Sequence, residues 1–181
     1  MRLTAFILLF AMLILSAFQA GKSPYYELED GKNLKRPEPH LYRKWKYAGS
    51  SVVPDDKNSG KAIFPGIHQV YVDPDSFRAH QEKGAWPDGT IVVMEVQHIE
   101  NRETVSGHGY FTTGGMDILV QLKDRRAFPG SGWAYYLFRD KEIKANKTSA
   151  APEDGLCSAC HTASAEEDEL FSQHYPELRK P

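Results

Sequence analysis

Thr90-Ile91-Val92-Val93-Met94-Glu95-Val96-Gln97-His98-Ile99 is the stretch that decides the fold of this chain. It is long and rich in β-branched residues, which is typical of a β-strand. Because side chains alternate along a strand, one face carries Val92, Met94, Val96 and His98, and the other carries Ile91, Val93 and Glu95. The stretch therefore predicts a long strand in which Met94 and Glu95 point to opposite sides of a sheet.

Other strand-like segments lie on both sides of this stretch. Residues 67–73 alternate in polarity, and residues 133–139 are rich in aromatic side chains. Residues 110–113 and 116–123 flank Gly114-Gly115, a pair that predicts a hairpin turn. Together these segments predict an α+β domain, mainly an antiparallel β-sheet with a few helices.

Three helices are predicted around the strands. Residues 39–47 have helical spacing of apolar side chains, and residues 75–83 form a helix capped by Asp73 or Asp75. After a polar linker over residues 141–155, a last helix is expected over about residues 157–173. Its acidic residues 166–169 are interpreted as a solvated helix surface.

The only two cysteines of the chain lie in Cys157-Ser158-Ala159-Cys160-His161. A C-x-x-C-H pattern is typical of c-type haem attachment, in which both thiols form thioethers with the haem and the histidine ligates the iron. The motif predicts one covalent haem c, with Cys157 and Cys160 as attachment points and His161 as axial ligand. Zinc is disfavoured because it needs more ligands than two thiols and one imidazole.

The N-terminus predicts export of the protein. Arg2 precedes an uncharged apolar run over residues 6–15, and small residues follow near Ala20. This pattern is typical of a signal peptide over residues 1–20, and it predicts a periplasmic protein. An uncleaved membrane anchor is the alternative, although the run is shorter than the roughly 20 residues that a span requires. We expect a mobile leader over residues 21–38 and one haem domain over residues 39–181.

The charge balance argues against a nucleic-acid partner. The chain has 22 basic and 24 acidic residues, and no basic stripe is visible along it. Proteins that bind nucleic acids usually carry such a basic patch.

Several strings resemble the cytochrome P-460 family, and they occur in one order over nearly all of the chain beyond the leader. They are Tyr42-Arg43-Lys44-Trp45, Gly60-Lys61-Ala62, Val70-Tyr71-Val72-Asp73-Pro74, Asp88-Gly89-Thr90, Gly107-His108-Gly109-Tyr110-Phe111, Gly132-Trp133-Ala134-Tyr135-Tyr136, Cys157 to His161, and Phe171-Ser172-Gln173-His174-Tyr175-Pro176. The resemblance implies a mainly antiparallel fold, a homodimer, and one five-coordinate haem with His161 on the proximal side.

Two substitutions bear on which branch of the family the chain resembles. Members that oxidise hydroxylamine carry a lysine cross-linked to the porphyrin and a distal glutamate. In this chain the matching positions hold Met94 and Leu119. Apolar residues at both positions resemble the cytochrome c′-β branch, whose haem is not cross-linked and whose distal pocket is apolar. Phe64 and Trp86 match positions of aromatic side chains, which we interpret as pocket residues or alternatively as core residues.

Three functions stay open at this point. The first is a haem protein without enzymatic activity that binds small gases such as NO. The second is an oxidoreductase acting on hydroxylamine or a related nitrogen compound. The third is an electron-transfer cytochrome with a redox partner, in which Met94 would be the sixth ligand. Four histidines are further conceivable ligands but are more often surface or hydrogen-bonded residues: His68, His80, His98 and His108.

Overall fold

Two antiparallel sheets form the framework of the computed structural model, which describes residues 23–140, 148–149 and 155–180. The larger sheet has five strands in the order β3-β4-β5-β6-β7: β3 Lys46–Val53, β4 Gly66–Val72, β5 Ile91–Thr104, β6 Gly107–Lys123 and β7 Trp133–Phe138. The smaller sheet has the order β1-β2-β8: β1 Leu28–Glu29, β2 Asn33–Lys35 and β8 Thr148–Ser149. The predicted α+β fold is confirmed.

Three short α-helices accompany the sheets: α1 Pro39–Tyr42, α2 Pro74–Lys83 and α3 Leu156–Ser164. Asp73 caps α2, since its Oδ1 accepts a hydrogen bond from the Ser76 amide at 2.8 Å. The first helix is shorter than predicted because β3 already begins at Lys46. Within the described ranges, no helix is both long and apolar enough to span a membrane.

The larger sheet has an apolar cluster on each face. On the face that we call the Tyr42 face, the buried cluster is Leu34, Tyr42, Tyr71, Ile91, Val93, Ile118, Val120, Leu122, Ala134, Tyr136 and Phe138. On the opposite face, which we call the α3 face because Cys157 of α3 packs there, it is Ala48, Val70, Val72, Trp86, Val92, Trp133, Tyr135, Leu170, Tyr175 and Leu178. Burial on both sides explains why the first part of β5, residues 91–96, is apolar except for Glu95.

Glu95 lies on the Tyr42 face and is fully buried. Its carboxylate accepts two hydrogen bonds from Arg43 at 2.9 Å and one from the Tyr42 hydroxyl at 2.8 Å. The Gln97 amide donates a fourth at 2.8 Å. Burial raises the pKa of Glu95, but these hydrogen bonds outweigh it and hold the pKa below its ordinary value. The predicted opposite orientation of Met94 and Glu95 is confirmed.

The segment expected to be a mobile leader is packed against the domain. From Ser23 onward it is described, and β1 and β2 pair as a small hairpin. Leu34 is fully buried within the Tyr42-face cluster, and the Tyr25 ring meets Trp45 edge-on at 5.5 Å. The polar composition of residues 21–38 concealed these few apolar anchors. The predicted signal peptide and most of the predicted 141–155 linker lie outside the described residues.

The predicted hairpin turn at Gly114-Gly115 is wrong. Strand β6 runs through both glycines, and the turn joins Thr104 to Gly107 instead. At the glycines the pairing with β5 shifts, since Gln97 pairs with Met116 but Ile99 with Thr112. A Cβ on Gly115 would lie 2.5 Å from Nδ1 of His98. Gly115 therefore accommodates a close histidine ring in a bulge rather than a turn.

The helix expected over residues 157–173 ends at Ser164, because Ala165 is extended. The acidic residues that follow are not a helix surface. Lys123 Nζ lies 2.6 Å from Asp168, and the Tyr135 hydroxyl donates to Glu169. These partners on β6 and β7 are distant in sequence, which is why local patterning missed them.

Gly66 is expected to be the glycine least tolerant of substitution in the larger sheet. A Cβ there would lie 2.5 Å from the Gln97 carbonyl oxygen and 2.8 Å from Cγ1 of Val96. Since backbone and buried side chain cannot yield easily, we expect Gly66→Ala to lower the free energy of unfolding by about 1–3 kcal/mol. Chemical denaturation of the purified protein measures this loss.

Gly109→Ala is the matched control for that substitution. Its added Cβ would contact only the edge of the Phe111 ring, at 3.4 Å. Its effect should be a few tenths of a kcal/mol. Equal effects of both substitutions would contradict the assigned close approach at Gly66.

Candidate haem site

Helix α3 places the three side chains of the Cys-x-x-Cys-His motif on one side of the helix. Cys160 and His161 follow Cys157 by three and four positions, and residues at this spacing are neighbours on a helix surface. Cys157 is partly buried and packs on the α3-face cluster, which also contacts Met94, whereas Cys160 is exposed. Two thiols and an imidazole thus lie together beside the sheet.

The imidazole of His161 is held in one tautomer. Its Nδ1 lies 2.7 Å from the backbone carbonyl oxygen of Glu169. A carbonyl oxygen can only accept, so Nδ1 carries the proton and Nε2 keeps its lone pair. Burial lowers the pKa of His161, and the Glu169 carbonyl opposes that shift only in part. The ring is therefore a neutral imidazole whose Nε2 is a suitable metal ligand.

Two aromatic rings fix the plane of this imidazole. Tyr135 of β7 lies 4.5 Å from the His161 ring centroid, and Phe171 meets it edge-on at 4.7 Å. The Tyr135 hydroxyl is itself bonded to the Glu169 carboxylate. Burial and this hydrogen bond raise the pKa of Tyr135 well above its ordinary value, so the phenol stays neutral.

A row of apolar side chains crosses four strands on the α3 face. Val70, Met94, Leu119 and Leu137 are successive cross-strand partners, and we call them the apolar row. Directly opposite residues of an antiparallel pair point to the same face. Met94, Leu119 and Leu137 are only half-buried, although the residues next to them along these strands are mostly buried. The structure thus brings Met94 and Leu119 together in one apolar surface beside Cys157.

A second row crosses the same strands two positions away from the apolar row. It contains polar groups, and we call it the polar row. It consists of His68, Val96 and Asp117, with Arg139 beyond the end of β7. The buried Asp117 carboxylate lies 3.3 Å from Arg139 Nη1 and 3.4 Å from His98 Nε2. The Asp140 amide donates to it at 2.9 Å. One long side of the apolar row is therefore bordered by a buried carboxylate.

Phe64 and Trp86 do not form a common aromatic cap. The Phe64 ring lies 5.8 Å from the guanidinium of Arg139, near Asp117. The Trp86 carbonyl accepts from Lys123 Nζ at 3.1 Å, and its ring stacks on His80 at 3.9 Å. Asp117 and Lys123 are at opposite ends of the inner part of β6, about 20 Å apart at ~3.4 Å per residue. Trp86 is a core residue, while Phe64 lies beside the polar row.

The four histidines considered above as conceivable ligands lie in different places. His68 Nε2 is 2.6 Å from the Phe64 carbonyl oxygen, and His98 contacts Asp117. His80 is fully buried and lies 3.3 Å from Glu167. His108 is exposed in the β5–β6 hairpin beside Glu103. Only His68 and His98 border the apolar row.

A comparison with known families identifies the family of this chain. The family model described as Cytochrome P460 matches residues 39–172. The chain belongs to the cytochrome P460 family. Membership makes it a haem-binding cytochrome, and the observed donor set fits that group: two neighbouring thiols, an imidazole with an available Nε2, and apolar side chains on the sheet face against which Cys157 packs. A comparison with curated proteins gives no significant match.

Sequence reasoning missed the residues that hold His161. Tyr135 and Phe171 appeared only as matching strings, and the Glu169 carbonyl gave no sequence signal because any residue has one. Gln121 was placed on the same strand face as Leu119, and its buried amide donates to that carbonyl at 2.9 Å. The alternation that put Gln121 on the same face as Leu119 was the one available signal.

Proposed function

We propose that this protein is an exported cytochrome P460 family member of the c′-β type, which binds small gaseous ligands such as NO at one covalent haem c. The apolar row carries the proposal. When bound, haem c would supply an iron that can take a diatomic ligand. Cys157 and Cys160 would hold the group by thioethers, and His161 Nε2 would ligate its iron.

The side chains of the apolar row favour ligands that need little polar help. Val70, Leu119 and Leu137 have no N–H or O–H group, and the Met94 thioether cannot donate a hydrogen bond. Bound O₂ is partly charged and needs a donor, whereas NO and CO are less dependent on one. Leu119 also cannot transfer a proton, which hydroxylamine oxidation requires. This chemistry supports reversible gas binding over oxidation.

The proposed location and assembly are supported by the sequence. The charged start and apolar run of residues 1–20 suit an exported chain, and haem c attachment takes place outside the cytoplasm. Both facts together support a periplasmic protein. We further propose a homodimer, which the family resemblance supports.

A second candidate function rests on Asp117. Its buried carboxylate lies two positions from Leu119 on the same face of β6, in contact with His98 and Arg139. Such a carboxylate is a possible proton acceptor for oxidation of hydroxylamine or a related nitrogen compound. If this candidate is correct, Asp117→Asn should abolish the reduction of an electron acceptor by hydroxylamine. If it is not, the substitution should leave NO binding unchanged.

The optical spectrum of the purified ferrous protein, before and after addition of NO, tests the proposed function. We expect a high-spin haem c spectrum, a five-coordinate NO complex, and an intact mass equal to the mature chain plus one unmodified haem. A strongly red-shifted Soret band with a mass deficit would indicate a porphyrin cross-link and would favour the oxidoreductase. A low-spin ferrous spectrum would indicate Met94 ligation and electron transfer.

A further inference from the structure

The backbone carbonyl of Glu169 is shared by two donors from different parts of the fold. His161 Nδ1 donates to it at 2.7 Å, and Gln121 Nε2 donates at 2.9 Å. A carbonyl oxygen has two lone pairs, so both hydrogen bonds can form together. The electron density that one donor draws is not available to the other. The side chain of a residue on β6 therefore competes with His161 for one oxygen.

The loop that presents this carbonyl is held independently of Gln121. Asp168 and Glu169 both have left-handed backbone conformations, at φ of 47° and 60°, which are unfavourable for residues with side chains. Asp168 is fixed by Lys123 Nζ at 2.6 Å and by Trp133 Nε1 at 3.2 Å. Glu169 is anchored through its carboxylate by Tyr135. Removal of the Gln121 amide would thus leave the carbonyl beside His161.

Among the residues that the structure describes, Gln121 has no other strong partner that would explain its burial. Its second contact, to the Tyr135 hydroxyl, is long at 3.4 Å. The side chain is 7% exposed and lies on the α3 face, where its cross-strand neighbours are Val92 and Tyr135. A buried amide among such neighbours is costly unless it is hydrogen-bonded, and its principal bond goes to the carbonyl behind His161.

From this geometry we propose that Gln121 is a positioning residue that weakens the hydrogen bond from His161 to Glu169, and thereby sets the donor strength of His161 toward the iron. The proposal rests on the proposed haem ligation by His161. A stronger hydrogen bond at Nδ1 makes an imidazole a more basic ligand, which strengthens the iron–histidine bond and favours the ferric state. By sharing the carbonyl, Gln121 keeps the iron–histidine bond weaker and the ferrous state more accessible. A weaker proximal bond suits a five-coordinate NO complex.

Gln121→Leu tests the proposal in the haem-loaded protein. The variant removes the competing donor and fills the position with an apolar side chain of similar size. We expect the iron–histidine stretching frequency in resonance Raman spectra to rise. At a fixed electrode potential we expect the ratio of ferric to ferrous protein to increase on the order of tenfold. This is the lower end of the changes in metal affinity or activity that follow when a hydrogen-bond partner of a metal ligand is mutated. This corresponds to about 59 mV for one electron.

Gln69→Leu is the matched control, since Gln69 pairs with Glu95 and lies on the Tyr42 face away from α3. It should change neither the stretching frequency nor the reduction potential. Gln121→Asn is a second variant for the case in which Gln121→Leu folds poorly. It keeps a polar side chain but withdraws the donor by one methylene, and it should shift both readouts in the direction expected for Gln121→Leu.

Two outcomes would contradict the role proposed for Gln121, and a third would contradict the proposed function. Unchanged frequency and potential in both Gln121 variants would overturn the proposal, as would a lower frequency with a higher potential, because Gln121 would then support the His161 bond instead of competing with it. A wild-type protein whose iron is not ligated by His161 would overturn the proposed function itself.

Discussion

Replacing both Cys157 and Cys160 by alanine is expected to abolish covalent haem attachment completely. The two thiols lie three positions apart on α3, beside the imidazole of His161. In the proposed site they are the only groups that bond the porphyrin covalently, so denaturation should release all haem from the double variant. A haem-stained denaturing gel and the intact mass of protein expressed in a host with haem c assembly measure this.

Ser158→Ala is the control for the double variant. Ser158 lies between the two cysteines, and in the described part of the chain its hydroxyl donates to the Gly155 carbonyl at 2.9 Å. This variant should retain full haem staining. Staining of the double cysteine variant at the wild-type level would mean that the haem is held through another side chain.

Arg43→Leu is expected to cause the largest loss of stability. Glu95 is fully buried, and the bidentate hydrogen bonds from Arg43 compensate its charge. Removal of one partner of a buried ion pair costs roughly 3–5 kcal/mol. Since the Arg43 side chain itself is 47% exposed and solvent screens it, we expect the lower end, about 3 kcal/mol. Chemical denaturation at neutral pH gives the value.

The loss of stability in Arg43→Leu should become smaller as pH falls. In the wild type the pKa of Glu95 is lowered, so its stabilising contribution is present above the unfolded pKa of ~4.3 and is lost as pH falls through the lower folded value. In Arg43→Leu, burial without the guanidinium raises the pKa of Glu95. The variant relieves its penalty by protonation as pH falls, so the stability difference between the two proteins should narrow toward pH ~4.

Arg125→Leu is the matched control for the pH experiment. Arg125 makes a similar contact with Asp88, at 3.0 Å, but both side chains are exposed. Solvent screens an exposed pair, so this substitution should change the free energy of unfolding little. The double variant Arg43→Leu with Glu95→Gln should recover part of the lost stability, because no buried charge remains. A loss from Arg43→Leu as small as the control, or one independent of pH, would show that the pair does not carry this stability.

Alternation along strands made much of the candidate site predictable. The period of two is a property of the extended backbone, so Met94 and Glu95 could be assigned to opposite faces without any tertiary information. The same rule put Leu119, Asp117 and Gln121 on one face of β6, as the pairing with β5 confirms. The Cys-x-x-Cys-His motif is equally local, since its spacing on one helix side follows from helical geometry alone.

The errors occurred where distant residues outweigh local preference. Gly114-Gly115 has the composition of a turn, but pairing with β5 extends β6 through it. Residues 166–169 look like an acidic helix face, yet Asp168 and Glu169 are bound by side chains from β6 and β7. The burial of Leu34, within a segment that is polar overall, likewise depends on contacts that composition does not indicate.

The sequence by itself determined the α+β class, the family resemblance, the three motif residues on α3 and the faces of β5 and β6. These follow from covalent spacing, backbone periodicity and short motifs. Only the tertiary structure decided that Glu169 presents its carbonyl to His161, that Gln121 shares that oxygen, and that Asp117 borders the apolar row. Those relations depend on hydrogen bonds and packing between segments far apart in the chain, and no local pattern specifies which backbone oxygen meets which side chain.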